Sequence, residues 1–239
     1  YQSIGNLCWS FATFSNIKSA HGKMDKSLAI NVVVRLAALL HAPSAEILSD
    51  RKKTHDWFLS CSHAMWAMGT LLPGAATPEE VQNLHSANSN LLQHVSTAPD
   101  FVSTDSEIVT LSNIIWSAAK FHTPRTLTPQ NHECLQILRN ATVTRVEKCV
   151  ANKEEVSSPC MANLAWAFGH FCWPDLPVMT MALSFDKKQQ PRLDALDARH
   201  VVSILWSVAK NSSEISRTMA LKRQGDCATL FKPLWRKLH

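Results

Sequence analysis

Glycine is scarce in this chain, with six residues in 239. So few leave no phosphate-cradling loop, and neither a Walker-type GxxxxGK[ST] run nor a GxGxxG fingerprint occurs. A GxSxG elbow and an HExxH helix are also missing. Charge is sparse, with Asp, Glu, Lys and Arg making up 18%. So thin a charged coat suits a surface partly covered by partners. No apolar run approaches the roughly 20 residues that span a bilayer. The most apolar stretch, residues 28–40, is interrupted by Asn31 and Arg35 and reads as a buried helix. The seven cysteines are odd in number and form no CxxC. Reduced, buried thiols in a non-secretory compartment are expected. Cys61 with His63, and His132 with Cys134, lack the second pair that a zinc site needs, so no metal is expected. The eleven histidines scatter, mostly over loops and helix ends. Neither an enzymatic site nor a cofactor is expected.

What the chain has is tryptophan in register. Five of its eight tryptophans, Trp9, Trp66, Trp116, Trp166 and Trp206, sit in one repeated segment. The copies read SIGNLCWSFATF (3–14), SCSHAMWAMGTL (60–71), TLSNIIWSAAKF (110–121), CMANLAWAFGHF (160–171) and HVVSILWSVAKN (200–211). Three positions before the tryptophan stands Asn6, His63, Asn113, Asn163 or Ser203. One after it is Ser10, Ala67, Ser117, Ala167 or Ser207; three after it is Ala12, Gly69, Ala119, Gly169 or Ala209. Those two positions are always small. Large residues at some places and small ones at others fit a helix packed closely on a neighbour. The tryptophan shares a face with the residues three before and four after it. Its size and apolar context place it in the core, with a ligand platform as the alternative. The Asn before it is expected to bond a neighbouring turn, with reading of an RNA base as the alternative.

The intervals between these tryptophans are 57, 50, 50 and 40 residues. About forty residues hold two helices with their turns, and the longer intervals add loop or a third helix. A strand reading fails, because the segments lack period-two alternation and the chain has no Asn-Gly hairpin. The expected fold is all-α: an irregular α-solenoid of stacked helical hairpins, about five repeats, in a single domain over residues 1–239.

The segments at 110–121 and 200–211 resemble a helix of the form L-x-N-x-L-W-A-x-A-K. It is similar to helices of the octotricopeptide and heptatricopeptide repeats and of the FAST-kinase-like helical region. Those families act in organellar RNA metabolism. The resemblance covers about sixty residues directly. It implies a non-catalytic, RNA-associated helical repeat in an organelle, mitochondrial first and plastid as the alternative. A structural subunit bracing rRNA in a divergent mitochondrial ribosome fits that implication. A protein-binding scaffold in another large organellar complex, without RNA contact, is the second reading.

Net charge is +5 and the pI about 8.9, which permits RNA contact without demanding it. The cations are uneven. Residues 210–239 hold Lys210, Arg217, Lys222, Arg223, Lys232, Arg236 and Lys237 against Glu214 and Asp226, with Phe231 and Trp235 interleaved. Basic and aromatic residues together suit single-stranded nucleic acid. Arg51, Lys52 and Lys53 form a second basic spot, and Lys187, Lys188 and Arg192 a third. A solvated surface is the alternative reading of each. Lys120, His170 and Lys210 stand four after a tryptophan, where they can line an RNA-facing side.

Local signals place helices over 3–15, 25–41 with Asp25 as N-cap, 45–53 with Ser44 as cap, and 55–72. Thr77-Pro78-Glu79-Glu80 opens a helix reaching about Val95. Further helices are expected up to His122, over 130–152 with a break near Ala141, from Ser158 to Trp173, over 176–186, from Asp197, and from Glu214 onward. The chain opens at Tyr1 inside a repeat helix, so a preceding segment, with any targeting peptide, is expected.

Overall fold

The computed structural model describes residues 1–16, 25–98, 102, 106–183 and 197–221. It is helical, with no strand among the described residues. The helices are α1 (Gln2–Asn16), α2 (Lys26–Ala37), α3 (Ala45–Leu48), α4 (Arg51–Leu71), α5 (Pro78–Ser96), α6 (Ile108–Phe121), α7 (Pro129–Ala151), α8 (Ser158–His170), α9 (Leu176–Leu183), α10 (Ala198–Lys210) and α11 (Ser212–Leu221). A 3-10 turn, Leu72–Gly74, ends α4 at Pro73. The motif segments lie on α1, α4, α6, α8 and α10. The chain divides into two compact units, Tyr1–Thr142 and Val143–His239.

In the first unit α1 packs on α4, and α4 on α6, so the three motif helices lie side by side. Helices α2 and α5 back them. The approach between motif helices is close. A Cβ on Gly5 would stand 2.6 Å from Ser60 Cα, and one on Gly69 2.9 Å from Trp116 Cζ3. Ser117 Oγ donates to the Met65 carbonyl across α4 and α6, and accepts from Asn88 Nδ2 of α5 at 2.8 Å. The core fills the space between the layers with Ile30, Phe58, Met65, Leu84, Leu91, Leu92, Leu111 and Ile114. Trp57, not a motif tryptophan, is fully buried there and donates Nε1–H to the His41 carbonyl at 3.0 Å. Burying a side chain of that size contributes roughly 3 kcal/mol.

Helix starts follow the local chemistry. Asp25 accepts from Ser27 N, and Asp197 from His200 N, each at 2.9 Å. Thr77 and Glu80 form a reciprocal capping box, with both bonds at 3.2 Å. Two expectations are corrected. The 45–53 helix is broken, because Asp50 caps α4 by accepting from Lys52 N and Lys53 N. Only Ala45–Leu48 remains behind Ser44, and Thr54 Oγ1 stitches it on through the Ile47 carbonyl at 2.7 Å. Conversely, α7 runs unbroken through Ala141, where buried Leu135, Leu138, Ala141 and Val146 hold it.

In the second unit α8 packs on α10 and on α9. Gly169 lies so near Ser207 that a Cβ would fall 2.7 Å from its Cα. Phe168, Phe171 and Trp173 cluster behind α8, with Trp173 4.7 Å from Phe171 between ring centroids. Lys153 and Cys172 end α7 and α8 in the left-handed region, both at φ 55°. Each places the next N–H on the carbonyl five residues back, Glu154 on Cys149 at 2.9 Å and Trp173 on Phe168 at 2.8 Å. Cys8, Cys61, Cys134, Cys149 and Cys160 are buried, but Cys172 is exposed, which corrects the expectation of buried thiols throughout.

Candidate nucleic-acid interface

The motif tryptophans are not core. Trp9 is 47% and Trp206 42% exposed, while Trp66, Trp116 and Trp166 are half-buried. The physical reason is that a motif helix is squeezed between neighbours. Its flanks, carrying the small residues one and three after the tryptophan, are buried on α4, α6 and α8. Besides Leu7 and Phe14 on α1 and Val202 on α10, one shared line is left to water. Counted from the tryptophan it comprises the residues seven before, three before, the tryptophan itself and four after, a heptad-like stripe down one helix face.

In the first unit that stripe reads Gln2, Asn6, Trp9, Thr13 on α1, then Leu59, His63, Trp66, Thr70 on α4, then Val109, Asn113, Trp116, Lys120 on α6. Every one of these is half-buried or exposed. The Trp9 and Trp66 rings stack at 6.3 Å and 28° across the α1–α4 seam. Trp116 lays its ring edge against Gly69 of α4. Lys120 Nζ lies 5.1 Å from the Trp116 ring centroid, a cation–π distance. Desolvation holds Lys120 below its ordinary pKa, and does the same to His63. None of these twelve residues is a carboxylate; Asp56, ten before Trp66, is the next residue on the same α4 face and is half-buried.

The second unit repeats the arrangement with Pro159, Asn163, Trp166, His170 on α8 and Arg199, Ser203, Trp206, Lys210 on α10. His170 stacks on Trp166 at 5.3 Å and 29°. Arg199 is paired with Asp197 at 3.1 Å. Aromatic faces alternating with amide, hydroxyl and cationic groups can stack bases, bond their edges and neutralise phosphate.

Known protein families, curated proteins and solved structures were compared with the chain. None of them matches it.

The expected basic residues are dispersed. Lys120 and Lys210 fall on the stripes. Arg51, Lys52 and Lys53 occupy the first turn of α4, roughly 22 Å along the axis from Trp66. Lys53 is engaged there by Glu46 at 2.8 Å. Arg217, exposed on α11, pairs with Glu214 at 2.5 Å. Lys222, Arg223, Lys232, Arg236 and Lys237, with Phe231 and Trp235, lie outside the described residues, as do Lys187, Lys188 and Arg192. The residues that the basic clusters did not signal are the tryptophans themselves and the Asn or His before them. Their signal was present: they share a helix face with Lys120 and Lys210, while the small residues lie to either side.

Among the described residues no group of three His, Cys, Asp or Glu could hold a metal ion, and no helix is long and apolar enough to cross a membrane. A groove of about 310 Å³ runs between α2 and α5, lined by His41, Asn83, Asn90, Leu91 and His94 among others. Its His94 Nδ1 is already bonded to the Leu40 carbonyl at 3.0 Å.

Proposed function

We propose that this is a non-catalytic RNA-binding protein of an organelle, mitochondrial in the first instance, built as an irregular α-solenoid of about five stacked hairpins. Its role is structural. It braces rRNA in a divergent mitochondrial ribosome. The observation that carries this reading is the carboxylate-free stripe of tryptophan, asparagine and lysine on adjacent motif helices. The likeness of the segments at 110–121 and 200–211 to organellar RNA-associated repeats points the same way. Low overall charge suits a subunit embedded among partners.

The test is ultraviolet crosslinking in native organelle extract, followed by sequencing of the attached RNA and mapping of the attached peptides. Crosslinks to rRNA at stripe peptides support the reading. Recovery of many unrelated mRNAs turns it into an expression factor. Absence of RNA, with co-purification in an enzyme complex, sinks it. One observation favours that second reading, a protein scaffold: Leu28 and Leu39 on and beside α2 are each 54% exposed on the layer behind the motif helices.

A further inference from the structure

The RNA reading leaves open what kind of RNA the stripe accepts and which force holds it. Resting on that reading and narrowing it, we infer that the Trp9–Trp66–Trp116 stripe is a stacking platform for an unpaired run of RNA, held by its bases more than by its phosphates. Duplex RNA hides its base faces and presents phosphates, so a protein that grips it needs a dense basic surface. This stripe is the reverse. Three indoles stand on neighbouring helices, Trp9 exposed and Trp66 and Trp116 half-buried, with Lys120 the stripe's one lysine. Trp9 keeps nearly half of its surface in water while its ring pairs with that of Trp66 at 6.3 Å between centroids. The rings are interleaved with Asn6 and Asn113, whose amides offer both a donor and an acceptor to a base edge. The absence of carboxylates keeps the track open to a polyanion, and Lys120, lying over Trp116, gives one phosphate a counter-charge at the α6 end. Sequence preference is weak on such a surface, because every base has a stackable face.

The whole 239-residue chain is titrated, by fluorescence anisotropy, with labelled oligo(A) and oligo(U) of about 15 nucleotides and with a hairpin duplex of equal phosphate number. Trp9→Ala, Trp9→Phe and Lys120→Gln are compared at several salt concentrations. Trp9 is exposed enough that its replacement leaves the fold standing, and circular dichroism checks that. The single strands bind at least tenfold more tightly than the duplex. Trp9→Ala weakens single-strand binding about five- to tenfold by the same factor at every salt, and Trp9→Phe recovers most of it. Lys120→Gln instead flattens the logarithmic salt slope by about 0.7, one phosphate's worth. Duplex bound as well as single strand, with Trp9→Ala unchanged, overturns the stacking platform and leaves the RNA reading intact. No binding of any probe at low salt overturns both.

Discussion

Gly169→Ala tests the helix packing on which the stripes depend. The added Cβ would lie 2.7 Å from Ser207 Cα, 2.7 Å from its Oγ and 2.8 Å from its Cβ. Ordinary carbon contacts begin near 3.5 Å, so α8 and α10 must separate by most of an ångström. Overpacking of this kind costs about 1–3 kcal/mol. The alanine returns roughly 1 kcal/mol in helix propensity. A net loss of about 1–2 kcal/mol follows, with local opening of α8 and α10. Ser207→Ala removes one of the clashing atoms, so the double variant should recover about half of the loss, a positive coupling in the cycle. The chain supplies a precedent: where the residue three after the tryptophan is Ala12, the residue one after the next tryptophan is Ala67, whereas Gly69 precedes Ser117 and Gly169 precedes Ser207. Gly74→Ala is the control, since the three atoms nearest its new Cβ all belong to the flexible Lys26 side chain. Thermal melting at 222 nm, with hydrogen exchange over 158–170 and 198–210, reads the effect. Gly169→Ala melting at or above the parent temperature, while Gly74→Ala behaves alike, refutes the close approach.

Acid should loosen the first unit through His122, whose imidazole is buried beside His85 at 4.9 Å. Burial, then the charge of His85, depresses its pKa from 6.5 to about 4. The unfolded chain therefore takes a proton that the native state refuses. Stability is full above about pH 6.5 and falls as pH drops toward 4, by at most about 3 kcal/mol. Urea midpoints between pH 7.5 and 4.5 measure the fall, and His122→Asn should flatten that part of the profile. Among the described cysteines, thiol labelling near pH 8 should mark Cys172 first, because burial pushes the Cys8 pKa up to about 12 and raises that of Cys61 as well. Mass spectrometry that finds Cys61 labelled as fast as Cys172 in native protein contradicts this burial. Thr77→Ala should cost about 1 kcal/mol by removing the α5 cap, read as a lower urea midpoint.

Helix starts were legible because a cap acts within three residues. Asp25, Thr77 and Asp197 announce α2, α5 and α10 with no knowledge of the fold. Where two caps stand close, Ser44 and Asp50, local rules cannot say which prevails; both do, and α3 shrinks to one turn. The close packing of the motif helices was also legible, since Gly69 and Gly169 meet serines as small-residue positions should. The exposed face was harder. Whether an indole is buried depends on which flanks the neighbouring helices cover, and that is decided by residues some fifty positions away. Size argued for the core, yet among the described residues the core tryptophans are Trp57 and Trp173, outside the shared register. Of the expected cations, Lys53 and Arg217 are each engaged by a glutamate, a local pairing that a count of cations along the chain does not reveal.

The Glu80 carboxylate has more clients than a helix cap requires. It receives the Thr77 and Ala76 amides at the start of α5, and the Ser27 hydroxyl from the first turn of α2. One side chain therefore ties the nucleation of one helix to the docking of another. Residues 26–29 and 76–80 cannot fray independently: when the α5 start opens, the α2 anchor goes with it. In folding terms the two backing helices share a single hinge point, and their amide protons should exchange with one common protection rather than two.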